Sequence, residues 1–328
     1  MSDILLARDA ENLFWLARYV ERAENLARIL DVNATFSRDV RGGRDWMPVL
    51  QLNADERRFR ERHGDPSGDA VLRFYVIDRD NPTSIVSTIA SARANAKALR
   101  PQTSREMWAQ LNVLHNWVAG LDDTALAASE LTRLLGRIRE ACQTHTGVTE
   151  GTFYRDQGWH FYWLGRYIER ADQTTRLLDI KYHLLLPRAE DVGSALDVGQ
   201  WNALLRSAAG YHAFRRIESG AITPAKVAGF LLLDRRFPRS VALCIGESEH
   251  LLSALRSRWS LGGAEALAEI ESLRESLGAL TIEEVLAGGL HEYLDDLQRR
   301  LIAVTTGLSA AFFGHAPSQR QDQGGTAA

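Results

Sequence analysis

Two glutamates, Glu21 and Glu169, stand in nearly the same setting, WLARYVERAE and WLGRYIERAD. A pair of carboxylates can divide acid–base work, one releasing a proton while the other takes one, when a fold holds them at the separation a substrate needs. Arginines surround both: Arg18, Arg22 and Arg28 near the first, Arg166, Arg170 and Arg176 near the second. Guanidiniums present a rigid fork of donors that matches carboxylate or phosphate, so they could hold an anion beside such a base. The same residues equally suit a structural Arg–Glu network that sets the register between helices. A third reading is a solvated helix face, where exposed ion pairs contribute only about 0–1 kcal/mol.

The elements that must carry these residues are helices. Leu13, Leu16, Val20, Ala23, Ala27 and Leu30 recur at alternating steps of three and four, which places them on one stripe of a long helix. Arg18, Glu21, Arg22, Asn25 and Arg28 fall on the other side. The stripe returns as Phe161, Leu164, Ile168, Ala171, Thr175 and Leu178. Across the 21 positions of 13–33 paired with 161–181, 10 are identical, from Trp15/Trp163 to Asp31/Asp179. Five of the 10 are charged, which a freely solvated face would not require. Trp15 and Tyr19 (with Trp163 and Tyr167) lie beside that face at i and i+4, the spacing of packing aromatics.

A second repeated block confirms the pattern. FYVIDRDNPTSIVSTI from Phe74 pairs with FLLLDRRFPRSVALCI from Phe230, and Ala98-Leu99-Arg100 with Ala254-Leu255-Arg256. The first block is offset by 148 residues and the second by 156, so about eight residues separate the two copies in length. Two blocks repeated in one order predict an all-α, internally duplicated bundle with two homologous halves related by a pseudo-two-fold. The expected divisions are residues 1–148, 149–313 and a disordered polar tail at 314–328.

Within the second block, Asp78 and Asp234 are expected at helix ends, where the macrodipole disfavours an anion. Each needs either an arginine partner or a bond to the following backbone, which aspartate makes readily. Asn81 before Pro82 reads as an N-cap with proline at the first helical position, and Thr223-Pro224 reads the same way. After the turn the first copy carries Arg93, Asn95, Lys97 and Arg100. Arg93, Lys97 and Arg100 share a face and could receive an anion, although a solvated face explains them too. A ligand site is therefore expected nearer the first half.

Composition excludes several classes. Net charge is −3 and pI about 6.3, so no general basic field favours nucleic acid or an anionic membrane. The N-terminus lacks a basic region ahead of an apolar core, and no apolar run is long enough to span a bilayer. Cys142 and Cys244 are isolated, which fits a reducing cytoplasm better than a disulfide framework. HEYLD at His291 is not a zinc-binding HExxH, and no Walker loop, GxSxG or dinucleotide fingerprint occurs. No metal and no cofactor are expected.

Together, WLARYVERAE and WLGRYIERAD, DRDNPTSI, ARANAKALR with MWAQLN, and LLLDRRFPRSV resemble the alpha-E family of bacterial helical proteins, from about Ser2 to Phe313. The family commonly has Glu and Arg where this chain has Ala94 and Lys97. The resemblance implies association with a circularly permuted ATP-grasp protein, and with transglutaminase-like proteases, in peptide or amide modification. On that basis the chain is expected to dock such a ligase or hold its substrate, with the Arg/Glu faces meeting partner or substrate. Two alternatives remain: an enzyme with an Arg/Glu pocket between the halves and Glu21 or Glu169 as base, and a structural helical interaction protein.

Overall fold

The computed structural model describes residues 5–39, 46–184 and 195–314. Among these residues there are fifteen α-helices and no strand. They divide into two compact units, one up to Gly165 and one from Arg166 onward. The tail expected at 314–328 lies outside the described residues apart from Gly314.

The first unit contains α1 (Ala7–Asp39), α2 (Met47–Leu52), α3 (Glu56–His63), α4 (Gly68–Val76), α5 (Ile85–Ala98), α6 (Arg105–Ala119), a 3₁₀ turn at Asp123–Leu126, α7 (Leu131–Thr152) and the first turns of α8 (Gln157–Leu184). Helix α1 packs along α5 and α7, and α6 packs against the same two helices, which makes a four-helix core. The expected stripe is buried throughout, with Leu13, Ala23, Ala27 and Leu30 at 0% exposure. Burying such side chains is worth roughly 1.5–3 kcal/mol each for the larger ones, so this stripe is the main reason α1 sits at the centre.

The second unit holds the remainder of α8, then α9 (Ala195–Ser207), α10 (Tyr211–Ile217), α11 (Pro224–Leu233), α12 (Val241–Trp259), α13 (Ala264–Ala279), α14 (Ile282–Gly288) and α15 (Leu290–Phe312). Helices α12 and α15 both pack on α13, and α11 lies against α9, α12, α13 and α14. Phe214, Phe230 and Phe237 form a continuous aromatic cluster, with the rings of Phe230 and Phe237 stacked at 4.4 Å.

Serine or threonine hydroxyls cap α4, α5, α6, α11, α12 and α14. Thr223 accepts from the Lys226 amide with Pro224 at the first turn, as its sequence suggests. Asn81 behaves differently: α5 begins at Ile85, and Ser84 is its cap, accepting from the Ser87 amide. The turn itself uses Asn81. Its Nδ2 donates to Phe74 O at 3.0 Å and its Oδ1 accepts from the Thr83 amide at 3.1 Å, so the side chain ties α4 to the turn and is spent before a helix can start.

Candidate functional site

The charged side of α1 is not solvated. Arg18, Glu21, Glu24, Asn25, Arg28 and Asp31 are all buried, and Arg22 is half-buried. On α8 the same holds for Arg166, Glu169, Arg170 and Asp172, with Arg176 half-buried. Burial of so many charges is tolerable only where each is bonded, since a lone buried ion costs several kcal/mol. In the first unit Arg28 Nη2 donates to Glu24 Oε1 at 2.7 Å, and Gln143 Nε2 from α7 donates to the same oxygen at 3.2 Å. In the second, Arg176 Nε reaches both carboxylate oxygens of Asp172, at 3.1 and 3.0 Å. These are the same i, i+4 acid–arginine pair at matching positions of the two copies.

Asp31 and Asp179 repeat a longer-range bond. Arg139 of α7 lies 3.2 Å from Asp31, and His291 of α15 lies 2.7 Å from Asp179. Hydrogen bonding to Asp179 holds the His291 imidazolium and raises its pKa, helped by Asp295 and Glu292 nearby. Nothing local in the sequence marks Arg139, Gln143 and His291 as partners, because only tertiary packing brings these α7 and α15 residues to a buried carboxylate.

Glu169 is fully buried, and its Oε1 accepts from Gln173 Nε2 at 3.2 Å. Arg170 Nη1 donates to Pro238 O at 3.2 Å, and Thr174 Oγ1 to Arg239 O at 2.9 Å. In the second unit, therefore, the two repeated motifs meet directly: WLGRYIERAD grips the backbone of DRRFPRS. Burial raises the Tyr167 pKa, with Glu247 adding to it and Arg170 and Arg166 opposing. In the first unit Arg18 lies over the Trp15 ring at 4.7 Å, and the Trp15 and Tyr19 rings lie tilted against each other with centroids 5.7 Å apart.

Asp78 and Asp234 are turn formers. Asp78 Oδ1 accepts from the Asp80 amide at 2.9 Å, and Asp234 Oδ1 from the Arg236 and Phe237 amides at 2.7 and 2.9 Å. Backbone donors offset the unfavourable placement after a helix end. Within 4.0 Å of Asp78 lie the Arg62 guanidinium and the His63 ring, both from α3.

Helix α5 presents a different arrangement. Arg93 and Asn95 are half-buried and Lys97 is exposed, as is Arg100 just beyond the end of the helix. The guanidiniums of Arg93 and Arg100 each lie 5.4 Å from the ring centre of Trp108 on α6. Arg93 Nε also donates to Asn112 Oδ1 at 2.8 Å, which fixes that guanidinium. Among the described residues, no carboxylate pairs with Arg93, Lys97 or Arg100. Trp108 and Asn112 stand four apart in MWAQLN, a spacing that puts both on one face of α6 and is visible once α6 is known to lie beside α5. Among the described residues no group of His, Cys, Asp or Glu is arranged to hold a metal ion, and no helix is long and apolar enough to cross a membrane.

An all-helical fold with paired Glu-Arg motifs on its two longest helices defines a class, and comparison with known families identifies it. Residues 5–313 match the Alpha-E family, described as a predicted alpha-helical domain with a conserved ER motif, and the chain belongs to that family. The chain is also 25% identical over 319 residues to uncharacterized proteins of Mycobacterium bovis and of two strains of Mycobacterium tuberculosis. Those alignments cover 88% of this chain and 34% of each relative, so the chain spans about a third of the length of the curated relatives it matches. No solved structure matches the chain.

Proposed function

We propose that this protein is an accessory subunit of a peptide- or amide-forming ligase system of the circularly permuted ATP-grasp type, docking the ligase or holding its substrate. The observation that supports this reading is the state of the motif charges. Asp172 and Arg176, Glu24 and Arg28, Asp31 and Arg139 bond one another inside packed helices. Such groups position helices, while uncompensated cations beside an indole are displayed on the surface of α5. The longer mycobacterial relatives also support it, since there the matching segment is joined to further chain. ATP-grasp and transglutaminase-like partners enter from the family resemblance.

The same proposal includes internal duplication, with the pseudo-two-fold expected between the copies. It is supported by the matching caps at Ser84 and Ser240, the matching turns at Asp78 and Asp234, and the matching acid–arginine pairs on α1 and α8. Cytoplasmic location is part of this proposal and fits an ATP-consuming partner.

The test is affinity capture of the full chain from its native cell, followed by ligase assays with and without it. Stoichiometric recovery of an ATP-grasp protein whose turnover rises with the subunit is expected; recovery of the chain alone would overturn the proposal. Glu21→Gln and Glu169→Gln decide the enzyme alternative. Both glutamates are buried, so the substitutions should lower the melting temperature and spare ligase stimulation. A variant that keeps its stability and loses all activity would make Glu21 or Glu169 a base after all.

A further inference from the structure

The surface of α5 and α6 points to a more definite partner chemistry. We infer that Arg93, Lys97, Arg100 and Trp108 form a docking face for an extended acidic segment of the partner protein. This rests on the partner reading above and names the chemistry that reading requires.

Three features carry it. The first is spacing. Arg93 and Lys97 lie on α5, and Arg100 stands two residues past its last residue, Ala98, so three separate cations line the end of this helix. Three separate cations offer more than one carboxylate site, which a single phosphate or carboxylate cannot fill. Two carboxylates about three residues apart on an extended peptide, rising roughly 3.1–3.4 Å per residue, can.

The second feature is the ring. Trp108 lies 5.4 Å from both guanidiniums, so the cations border an indole that can take the apolar stems or peptide planes between two acidic side chains. Stacking also holds Arg93 and Arg100 in place before anything binds. The bond from Arg93 Nε to Asn112 leaves its two terminal nitrogens as the fork for a carboxylate.

The third feature is charge. The whole chain carries −3, so general attraction for an acidic peptide is absent and binding must come from this local cluster. Among the described residues none of the three cations has a carboxylate partner, whereas the exposed Arg57 and Arg155 pair with Glu61 and Glu150. The copied block in the second half replaces Arg93 and Lys97 with Glu249 and Ser253, so the face belongs to the first copy only.

The experiment uses the full chain with fluorescein-labelled octaglutamate, with octaglutamine as the neutral control, followed by fluorescence anisotropy at low and at physiological salt. Octaglutamate should bind with a strong salt dependence and octaglutamine should not. Lys97→Glu with Arg100→Glu, both at exposed positions, should weaken octaglutamate binding at least tenfold. Arg216→Glu, an exposed change on α10, should leave it unaltered. Equal loss with Arg216→Glu, no loss with the α5 pair, or inorganic phosphate binding as tightly as the peptide would overturn the inference. The two readings fail separately. A partner captured equally well by the Lys97→Glu, Arg100→Glu chain keeps the accessory role and removes this docking face. Octaglutamate binding at the face with no ligase recovered keeps the face and removes the ligase.

Discussion

His291 Nδ1 lies 2.7 Å from Asp179 Oδ1 and joins α15 to α8 within the second unit. The bond raises the histidine pKa, so the folded chain holds that proton more tightly than the unfolded chain does. A raised histidine pKa contributes stability that is fully present below the unfolded value of about 6.5 and is lost as pH rises through the folded value. Melting temperature should therefore decline from pH 6 toward pH 8 in the native chain. His291→Gln should flatten that decline and have little effect at pH 8. The side chain is 40% exposed, so solvent screening limits the whole effect to about 1 kcal/mol or less. An unchanged pH profile in the variant would remove the pair from the stability of this unit.

Gly165 gives a second prediction. A Cβ placed there would lie 2.3 Å from Phe14 O on α1, closer than any real Cβ contact. The matching position in the first copy is Ala17. Backbone cannot swing away as a side chain can, so Gly165→Ala should destabilise by at least the roughly 1–3 kcal/mol of an overpacked core, despite alanine's better helix propensity. Ala17→Gly should cost about 1 kcal/mol, the ordinary price of glycine in a helix. Thermal melts of the two variants compare these directly. A Gly165→Ala chain as stable as the native protein would mean that α1 and α8 can move apart at this crossing.

Glu24 offers a third. It is 1% exposed, and Arg28 and Gln143 both donate to its Oε1. Glu24→Ala removes the acceptor these two donors share inside the bundle, which should cost about 3–5 kcal/mol in denaturant titration. Glu24→Gln should cost less, because an amide oxygen still accepts. A Glu24→Ala, Arg28→Ala double variant should recover part of the loss, with a coupling of about 1 kcal/mol or more. Simple additivity would mean that the pair does not act as a unit.

What could be read from sequence follows the range of the forces involved. The stripe from Leu13 to Leu30 and its repeat at Phe161 are local patterns of period 3.6, and both are buried as that pattern requires. The charged side was harder, because Arg18, Glu21 and Arg28 look alike whether they face water or a packed neighbour, and only tertiary contact places Gln143 against Glu24. Asn81 before Pro82 has the composition of a cap, yet the long bond to Phe74 O claims it and leaves Ser84 to start α5. His291 fits no metal motif, and its role depends on an aspartate 112 residues away. Arg93 and Arg100 were recognisable as one stripe. Trp108 between them was not, since the stack exists only when α5 and α6 lie side by side.

Asp55 supplies the last prediction. The α2–α3 junction, α4 and the repeated turn all meet at this carboxylate, which is 2% exposed. Thr83 Oγ1 donates to Oδ2 at 2.8 Å, Tyr75 OH to the same oxygen at 3.3 Å, and Arg58 Nη1 to Oδ1 at 3.0 Å. Burial raises the Asp55 pKa more than these bonds lower it, and burial also raises the Tyr75 pKa. The sign for Asp55 is opposite to the usual carboxylate case. The folded chain binds its proton more readily than the unfolded chain, so its contribution to stability grows as pH falls through the raised value toward 3.8. Asp55→Ala should cost about 2–4 kcal/mol, because the Thr83 and Tyr75 hydroxyls lose a buried acceptor. Thr83→Val should cost about 1 kcal/mol, one hydrogen bond. Asp55→Asn should cost less than Asp55→Ala and abolish the acid-side gain, measured as melting temperature from pH 7 down to pH 4. If Asp55→Asn and the native chain lose stability in parallel over that range, Asp55 is already ionised there and the desolvation argument fails.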